Sequence, residues 1–292
     1  MDIHINGSAL EIKNPDKIYF PDQGILKAEV IEYYIKIAPY ILPHLIGRPF
    51  SMIFFPSGKR DDSFFQKQRP IDAPNFVASV RIPSERRGHI NWCTVDNLET
   101  LVYFANKSVI EMHTWFSRRD SLDKPDIAVL DIDPSGNTGL KEAAAVANAF
   151  RAILDELKIY SVPKTSGSRG IHIFIPIVAQ YTYEEIRKLL FFMCKVVLES
   201  YPSLCTDERT VIKRGDRIYL DAVQFGRGKT LALPYSLRCR PGAPVSTPLK
   251  WEEVNSSLDA SDYNIRTIFE RLDKIGDLMS DFYKRAQKLP KI

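Results

Sequence analysis

The sequence has no Cys-x-x-Cys pair. Its four cysteines, Cys93, Cys194, Cys205 and Cys239, stand singly, which excludes a zinc knuckle and a dithiol redox motif and predicts buried free thiols. No run approaches the roughly 18 apolar residues of a membrane span. Met1 is followed by a polar, acidic start with no apolar signal region, so the reading is a cytoplasmic protein with no membrane contact. Internal repeats and low-complexity tracts are also missing, which excludes solenoids and charged tails. A large net charge is missing too: 40 basic against 36 acidic residues leave +4, so polyanion binding is permitted by the balance but not demanded by it.

What is present is an ordinary globular composition. A chain of 292 residues with 45% hydrophobic and 26% charged content can bury a large core. No seam divides it, so residues 1–292 are expected to form a single domain. Charge is unevenly spread, because Ala222 to Trp251 carries Arg227, Lys229, Arg238, Arg240 and Lys250 with no acid. That stretch is a candidate anion-binding surface.

Apolar spacing predicts a helix from Lys27, with Ile31, Tyr34, Ile35, Ala38, Ile41 and Leu42 on one face and Pro43 as its stop. Strands are expected over Phe50 to Phe55 and over Val80 to Phe104, the latter interrupted by a basic turn at Ser84 to Gly88, and Ser108 to Phe116 then carries His113. Thr138 is placed as the cap of a helix bearing Val146, Phe150, Ile153, Leu154 and Leu157. The capping box Thr182-Tyr183-Glu184-Glu185 opens another, ended by Pro202. Strands follow at Ile218 to Phe225 and Thr230 to Leu233, and a last helix bears Ile265, Ile268, Phe269, Leu272 and Ile275.

Chemistry concentrates in Asp126-Ile127-Ala128-Val129-Leu130-Asp131-Ile132-Asp133-Pro134, which reads as a buried strand broken by its proline. The two-residue repeat puts Asp131 and Asp133 on one face, about 7 Å apart. An apolar strand is a poor home for charge, so the pair either caps a turn or is neutralised by cations. The next segment, Lys164-Thr165-Ser166-Gly167-Ser168-Arg169-Gly170-Ile171-His172, joins a polar turn to an apolar strand. Its glycines, hydroxyls and Arg169 suit a phosphate, although the P-loop spacing is absent and a plain Gly-Ser hairpin turn fits equally. His172 faces away from Ile171, Ile173 and Ile175. Asp221 is a third acid, in a later strand, and Arg238 and Arg240 share a side if that segment is extended.

The ordered set Asp-Ile-Asp-Pro, Lys-Thr-Ser-Gly-Ser-x-Gly-x-His and Thr-Leu-Ala-Leu-Pro-Tyr-Ser-Leu-Arg-Cys-Arg-Pro-Gly-Ala-Pro, together with Asn-Pro-Asp-Lys-Ile-Tyr-Phe-Pro and Phe-Phe-Gln-Lys-Gln near the start, resembles the primase-polymerase domain of bacterial ATP-dependent DNA ligase D. That domain belongs to the archaeo-eukaryotic primase superfamily. The resemblance implies a mixed α/β core, with mixed sheets flanked by helices. It also implies a template-dependent polymerase that adds nucleotides, ribonucleotides by preference, to a primer 3′-hydroxyl during non-homologous end joining. Two divalent cations, Mn²⁺ or Mg²⁺, would be held by Asp131, Asp133 and Asp221, with no zinc. Ser166, Ser168, Arg169 and His172, with His113, Gln224, Arg238 and Arg240, match nucleotide-binding positions. Asn14, Lys17 and Lys27 match a DNA 5′-phosphate site, Phe64 and Phe65 a template-packing pair, and Arg214 a mobile-loop arginine. Implied partners are gapped or broken DNA, nucleoside triphosphates, and a separate ATP-dependent ligase and Ku-like end-binding protein acting in trans on a stand-alone, nucleoid-associated chain.

Other classes use parts of this pattern. A metal-dependent glycosyltransferase shares D-x-D but leaves Asp221 and the acid-free stretch without a role. A haloacid dehalogenase phosphatase needs Thr or Val where Ser135 stands. De novo priming and non-catalytic binding of 5′-phosphorylated ends remain as alternatives.

Overall fold

The strand carrying Asp131 and Asp133 lies in the middle of a five-stranded sheet. The computed structural model describes residues 2–290. A hairpin of β1 (Asp2–Ile5) and β2 (Ser8–Glu11) is followed by the paired short strands β3 (Ile18–Phe20) and β4 (Ile25–Leu26) and by the long helix α1 (Lys27–Leu45). Next come β5 (Phe50–Phe54), β6 (Phe64–Gln66), the hairpin β7 (Ser79–Ser84) and β8 (Gly88–Cys93), α2 (Leu98–Asn106) and β9 (Val109–Thr114). The second half holds β10 (Ile127–Pro134), α3 (Leu140–Glu156), β11 (Val162–Thr165), β12 (Ile171–Pro176) and α4 (Tyr183–Ser200). It continues with β13 (Cys205–Thr206), the one-turn α5 (Val211–Arg214), β14 (Ile218–Leu220), β15 (Leu231–Ala232) and α6 (Ile268–Ile275).

The larger sheet runs β11-β12-β10-β14-β13, and a second runs β15-β9-β5-β6. β10 is antiparallel to both neighbours, while β13 joins β14 in parallel. Mixed sheets flanked by helices are the architecture that the sequence led us to expect. Ile127, Ala128, Val129, Leu130 and Ile132 are each 2% exposed or less, which is why β10 reads as an almost unbroken apolar run. α3 packs across β10, β12 and β14 and against α4, while α1 and α2 pack together and α2 lies on β9. Phe150 of α3 and Phe174 of β12 are buried in this layer, each contributing about 1.5–3 kcal/mol. The main apolar cluster extends from Ile5 to Phe282 through both sheets, and a smaller one gathers Ile82, Trp92 and Trp115. The entry to β10 is pinned by charge: Asp126 receives Arg48 at 2.7 and 2.8 Å and Arg118 at 2.9 Å.

Several local expectations need correction. α1 does not stop at Pro43 but carries both Pro39 and Pro43 and ends at Leu45. Proline in the last turn forfeits one hydrogen bond, and burial of His44 and Leu45 offsets it. The strand expected over Val80 to Phe104 ends at Cys93. Asn97 then caps α2, its side chain accepting from Thr100 N at 2.9 Å, and the bulky apolar run that follows packs as helix. Thr138 does not cap α3, because its hydroxyl is used at 2.9 and 2.7 Å on the backbone of Ser135. The cap position is Gly139, whose N–H donates to Glu142 at 2.9 Å. β14 stops at Leu220 and β15 spans only Leu231–Ala232, while the last helix starts at Ile268 rather than Ile265. Arg240 N donates to Arg238 O at 2.8 Å, so those two arginines flank a bend and are not an extended pair.

Candidate active site

Three acids meet at the end of β10. Asp131 and Asp133 share a face of the strand, and the register pairs Ile132 with Leu220 and Asp133 with Tyr219 on β14. The chain leaving β14 then places Asp221 beside them, its N–H donating to Asp131 O at 3.0 Å. Asp221 Oδ1 accepts from Gln224 N at 2.8 Å and from the Tyr219 hydroxyl at 3.3 Å, so the third acid is fixed by the turn that it begins. The Gln224 amide braces the same turn through Thr230 O at 2.9 Å. Burial, then the charges of Asp133 and Asp221, hold the Asp131 carboxyl well above the usual range. Asp133 is raised by desolvation, with Arg214 opposing and Asp221 adding to it.

Among the described residues no three His, Cys, Asp or Glu side chains converge tightly enough to enclose a metal ion. The three carboxylates are nevertheless oxygen donors of the kind that hard divalent cations take. The raised Asp131 and Asp133 carboxyls, in the field of a third acid, are the electrostatic situation that such cations relieve.

The Ser-Gly segment between β11 and β12 folds over the end of β10. Ser166 Oγ accepts from the N–H groups of Ser168 and Gly170, both at 3.1 Å, which curls the loop on itself. A Cβ on Gly170 would lie 2.4 Å from Ile132 O, and Gly167, at φ 69°, would meet Arg238 Cγ at 2.5 Å. Both positions therefore need glycine. Arg169 donates to Gly136 O at 3.1 Å and Pro134 O at 3.3 Å, which brings its charge to the strand end, where it opposes the rise of Asp133. His172 is the cross-strand partner of Asp131 on one side and Lys164 on the other. Its Nε2 lies 3.4 Å from Asp131 Oδ1.

The second sheet contributes an arm that sequence reasoning saw only in part. His113 Nε2 lies 2.9 Å from Glu111 Oε2, and Glu111 is fully buried. That carboxylate also gathers Arg238 Nε at 3.1 Å, Arg60 Nη2 at 3.3 Å and Cys239 N at 3.0 Å. Burial pushes Glu111 up, but the His113 hydrogen bond and the arginine charges outweigh it and hold it well below the carboxylate range. Arg238 further donates to Ser166 O, so Glu111 steadies the arginine that touches the Ser-Gly loop. The missed signal was there: Glu111 and His113 are two apart in a strand and share a face. Arg240, exposed, lines a cavity of about 670 Å³ with Gly167, Ser168, Arg169 and Arg266 and no acid. Arg214, on α5, lies 3.7 Å over the Tyr219 ring.

Two groups stand on other elements. Asn14, in left-handed backbone at φ 51°, accepts from Lys17 N at 3.2 Å, and Lys27 N donates to Lys17 O at 2.8 Å. The fold therefore joins these three residues. Lys27 is only 4% exposed, and burial plus the nearby Lys17 lower it to about 8. It is not the solvated lysine that its type suggests. Phe64 and Phe65 on β6 are 50% and 51% exposed. Phe64 stacks on Phe54 at 4.8 Å, while Lys67 lies 5.6 Å from the Phe65 ring. Arg86 and Arg87 of the β7–β8 turn line a cavity of about 640 Å³ with Phe65 and Lys67.

Acids thus stand at a strand end, with arginines, hydroxyls and histidines around them on a mixed sheet. A family model described as the LigD primase-polymerase domain matches residues 26–279, and the chain belongs to that family. It is 36% identical over 282 residues to a bifunctional non-homologous end joining protein LigD of Bacillus subtilis, covering 96% of this chain and 45% of that protein. A multifunctional LigD of Mycolicibacterium smegmatis is 29% identical over 273 residues, covering 93% of this chain and 36% of that one. The chain thus spans less than half the length of these relatives. A solved polymerase domain of Mycobacterium tuberculosis ligase D in complex with DNA superposes with a TM-score of 0.87 at 26% identity, over 95% of this chain and 99% of that one. Among the described residues no helix is long and apolar enough to cross a membrane.

Proposed function

We propose that this chain adds nucleotides, ribonucleotides by preference, to a primer 3′-hydroxyl at gaps and broken ends during non-homologous end joining. The observation that carries the reading is the convergence of Asp131, Asp133 and Asp221, tied through the Asp221 N–H to Asp131 O at 3.0 Å, beneath the Ser166–Gly170 loop. Asp131, Asp133 and Asp221 would hold Mn²⁺ or Mg²⁺, which when bound supplies charge neutralisation and acidifies a hydroxyl. The remaining groups bind and orient. Ser168, Arg169 and Arg238 present donors to a triphosphate, and His113 and His172 border the same space. Catalysis is then positioning plus charge stabilisation, with no protein nucleophile. Arg214, which acts electrostatically on Asp133, orients the acids toward the primer end.

Sequence-tolerant DNA affinity fits the same site. Exposed Phe64 and Phe65 offer faces on which template bases stack at about 1–3 kcal/mol per base. Asn14, Lys17 and Lys27 hold the 5′-phosphate across a gap, a contact that positions without reading sequence and weakens with salt. A DNA ligase and a Ku-like end-binding protein complete the repair at the bacterial nucleoid. The test uses a gapped duplex with a 5′-phosphate, Mn²⁺ and labelled nucleotides. The wild type extends the primer by templated ribonucleotides and does so less well when the 5′-phosphate is removed. Binding of the duplex without any extension would replace this reading by that of a non-catalytic end binder.

A further inference from the structure

Lys164 is 1% exposed, and the roles above give it no task. Its ammonium lies 2.9 Å from His172 Nδ1, 3.3 Å from Thr165 O, and in contact with Ser246 Oγ. Ser246 directs its own hydroxyl proton to Thr165 O at 2.8 Å, so toward Lys164 the serine oxygen is an acceptor. Thr165 O is an acceptor by nature. Both neighbours therefore require Lys164 to donate, and in the charged lysine the third ammonium hydrogen falls to His172 Nδ1.

We propose that Lys164 is a positioning residue that fixes His172 as the Nε2–H tautomer and so aims an N–H donor into the site beside Asp131. One ring nitrogen is set by the bond that the other makes. With Nδ1 accepting, Nε2 carries the proton and faces Asp131 Oδ1 at 3.4 Å. An N–H there attracts the carboxylate and any phosphate oxygen, whereas a bare lone pair would repel both. The geometry is rigid: Lys164, His172 and Asp131 occupy one cross-strand row of β11, β12 and β10, and the Lys164 ammonium also rests 5.2 Å from the Phe174 ring. Burial and Arg238 press Lys164 well below the lysine range, with Asp131 opposing them. The tautomer follows from this geometry with Lys164 charged, while its kinetic consequence rests on the nucleotide-addition reading.

The test is ¹⁵N-histidine NMR on the full chain without substrate, with the His172 signal assigned by its loss in His172→Gln. We expect the Nε2–H tautomer in the wild type and a mixture of tautomers in Lys164→Met. We also expect nucleotide addition 10–100-fold slower in Lys164→Met, with affinity for gapped DNA unchanged. An Nδ1–H tautomer in the wild type, as a neutral lysine accepting from His172 would produce, overturns the proposal. So does Lys164→Met retaining the Nε2–H tautomer. If Lys164→Met does not fold, the wild-type spectrum decides alone. A wild type that adds no nucleotide but shows Nε2–H refutes the function and leaves the tautomer assignment standing.

Discussion

Replacing Asp131 by Asn should stabilise the metal-free protein. Asp131 is nearly buried, with 12% of its side chain exposed, and shares a strand face with Asp133 two residues on, about 7 Å away. Two unit charges at that spacing repel by about 2.4 kcal/mol at an effective dielectric of 20. Solvent at the exposed Asp133 trims this to about 1–2 kcal/mol. Because the folded-state pKa of Asp131 lies above its ordinary value, ionisation works against the fold. The cost is absent below the unfolded value near 4 and grows as pH rises through the folded one. For a chain of this size, 1 kcal/mol corresponds to about 2–4 °C in Tm. Asp131→Asn should therefore melt about 2–8 °C above wild type at pH 7.5 in chelator, and the gap should close toward pH 4. Mn²⁺ should reverse the order, since a ligand at 100 times its Kd adds about 2.7 kcal/mol to the form that binds it. Calorimetry with and without Mn²⁺ checks both halves. A variant that melts below wild type in chelator, or that gains as much from Mn²⁺ as wild type does, would refute the reasoning.

Affinity for a 5′-phosphorylated gap should fall as pH rises from 7 to 9, because Lys27, at about 8, loses its charge in that window. Anisotropy titrations should show this pH dependence shrink in Lys27→Met. Phe65→Ala should weaken binding to a templated gap by about 1–3 kcal/mol while leaving Tm nearly unchanged, since the ring is half exposed. Equal affinities would remove the stacking role. Arg48→Met leaves Asp126 short of its buried partner and should cost about 3–5 kcal/mol in urea unfolding, loosening the strand that carries the site. Glu111→Gln should slow nucleotide addition by freeing Arg238 and His113, with the loss appearing in the KM for nucleotide more than in DNA affinity.

The legible parts of this molecule were those where one residue type has one physical outlet. The apolar run of β10, broken at Pro134, could only be a buried strand, and Thr182 with Glu185 could only open a helix. The Asp131–Asp133 face followed from the strand repeat. Asp221 needed the fold, because its proximity comes from the register of β14 against β10, which no local pattern encodes. Glu111 and Lys164 were passed over for a related reason: a lone acid or lysine in a strand reads as a solvated charge until burial and partners are seen. The helix errors were contests between local and tertiary terms. Pro43 is a breaker by itself, yet packing of His44 and Leu45 carried α1 past it. Val95 to Phe104 has strand-like bulk, yet the Asn97 cap turned it into helix.

The central claim is that the acids at the end of β10 perform transfer while other groups hold the DNA. Single-turnover extension of a 5′-phosphorylated gapped duplex by Asp131→Ala, with DNA affinity measured on the same preparation, tests it most directly. The account predicts affinity close to wild type and no nucleotide added. Extension at the wild-type rate by Asp131→Ala would contradict it.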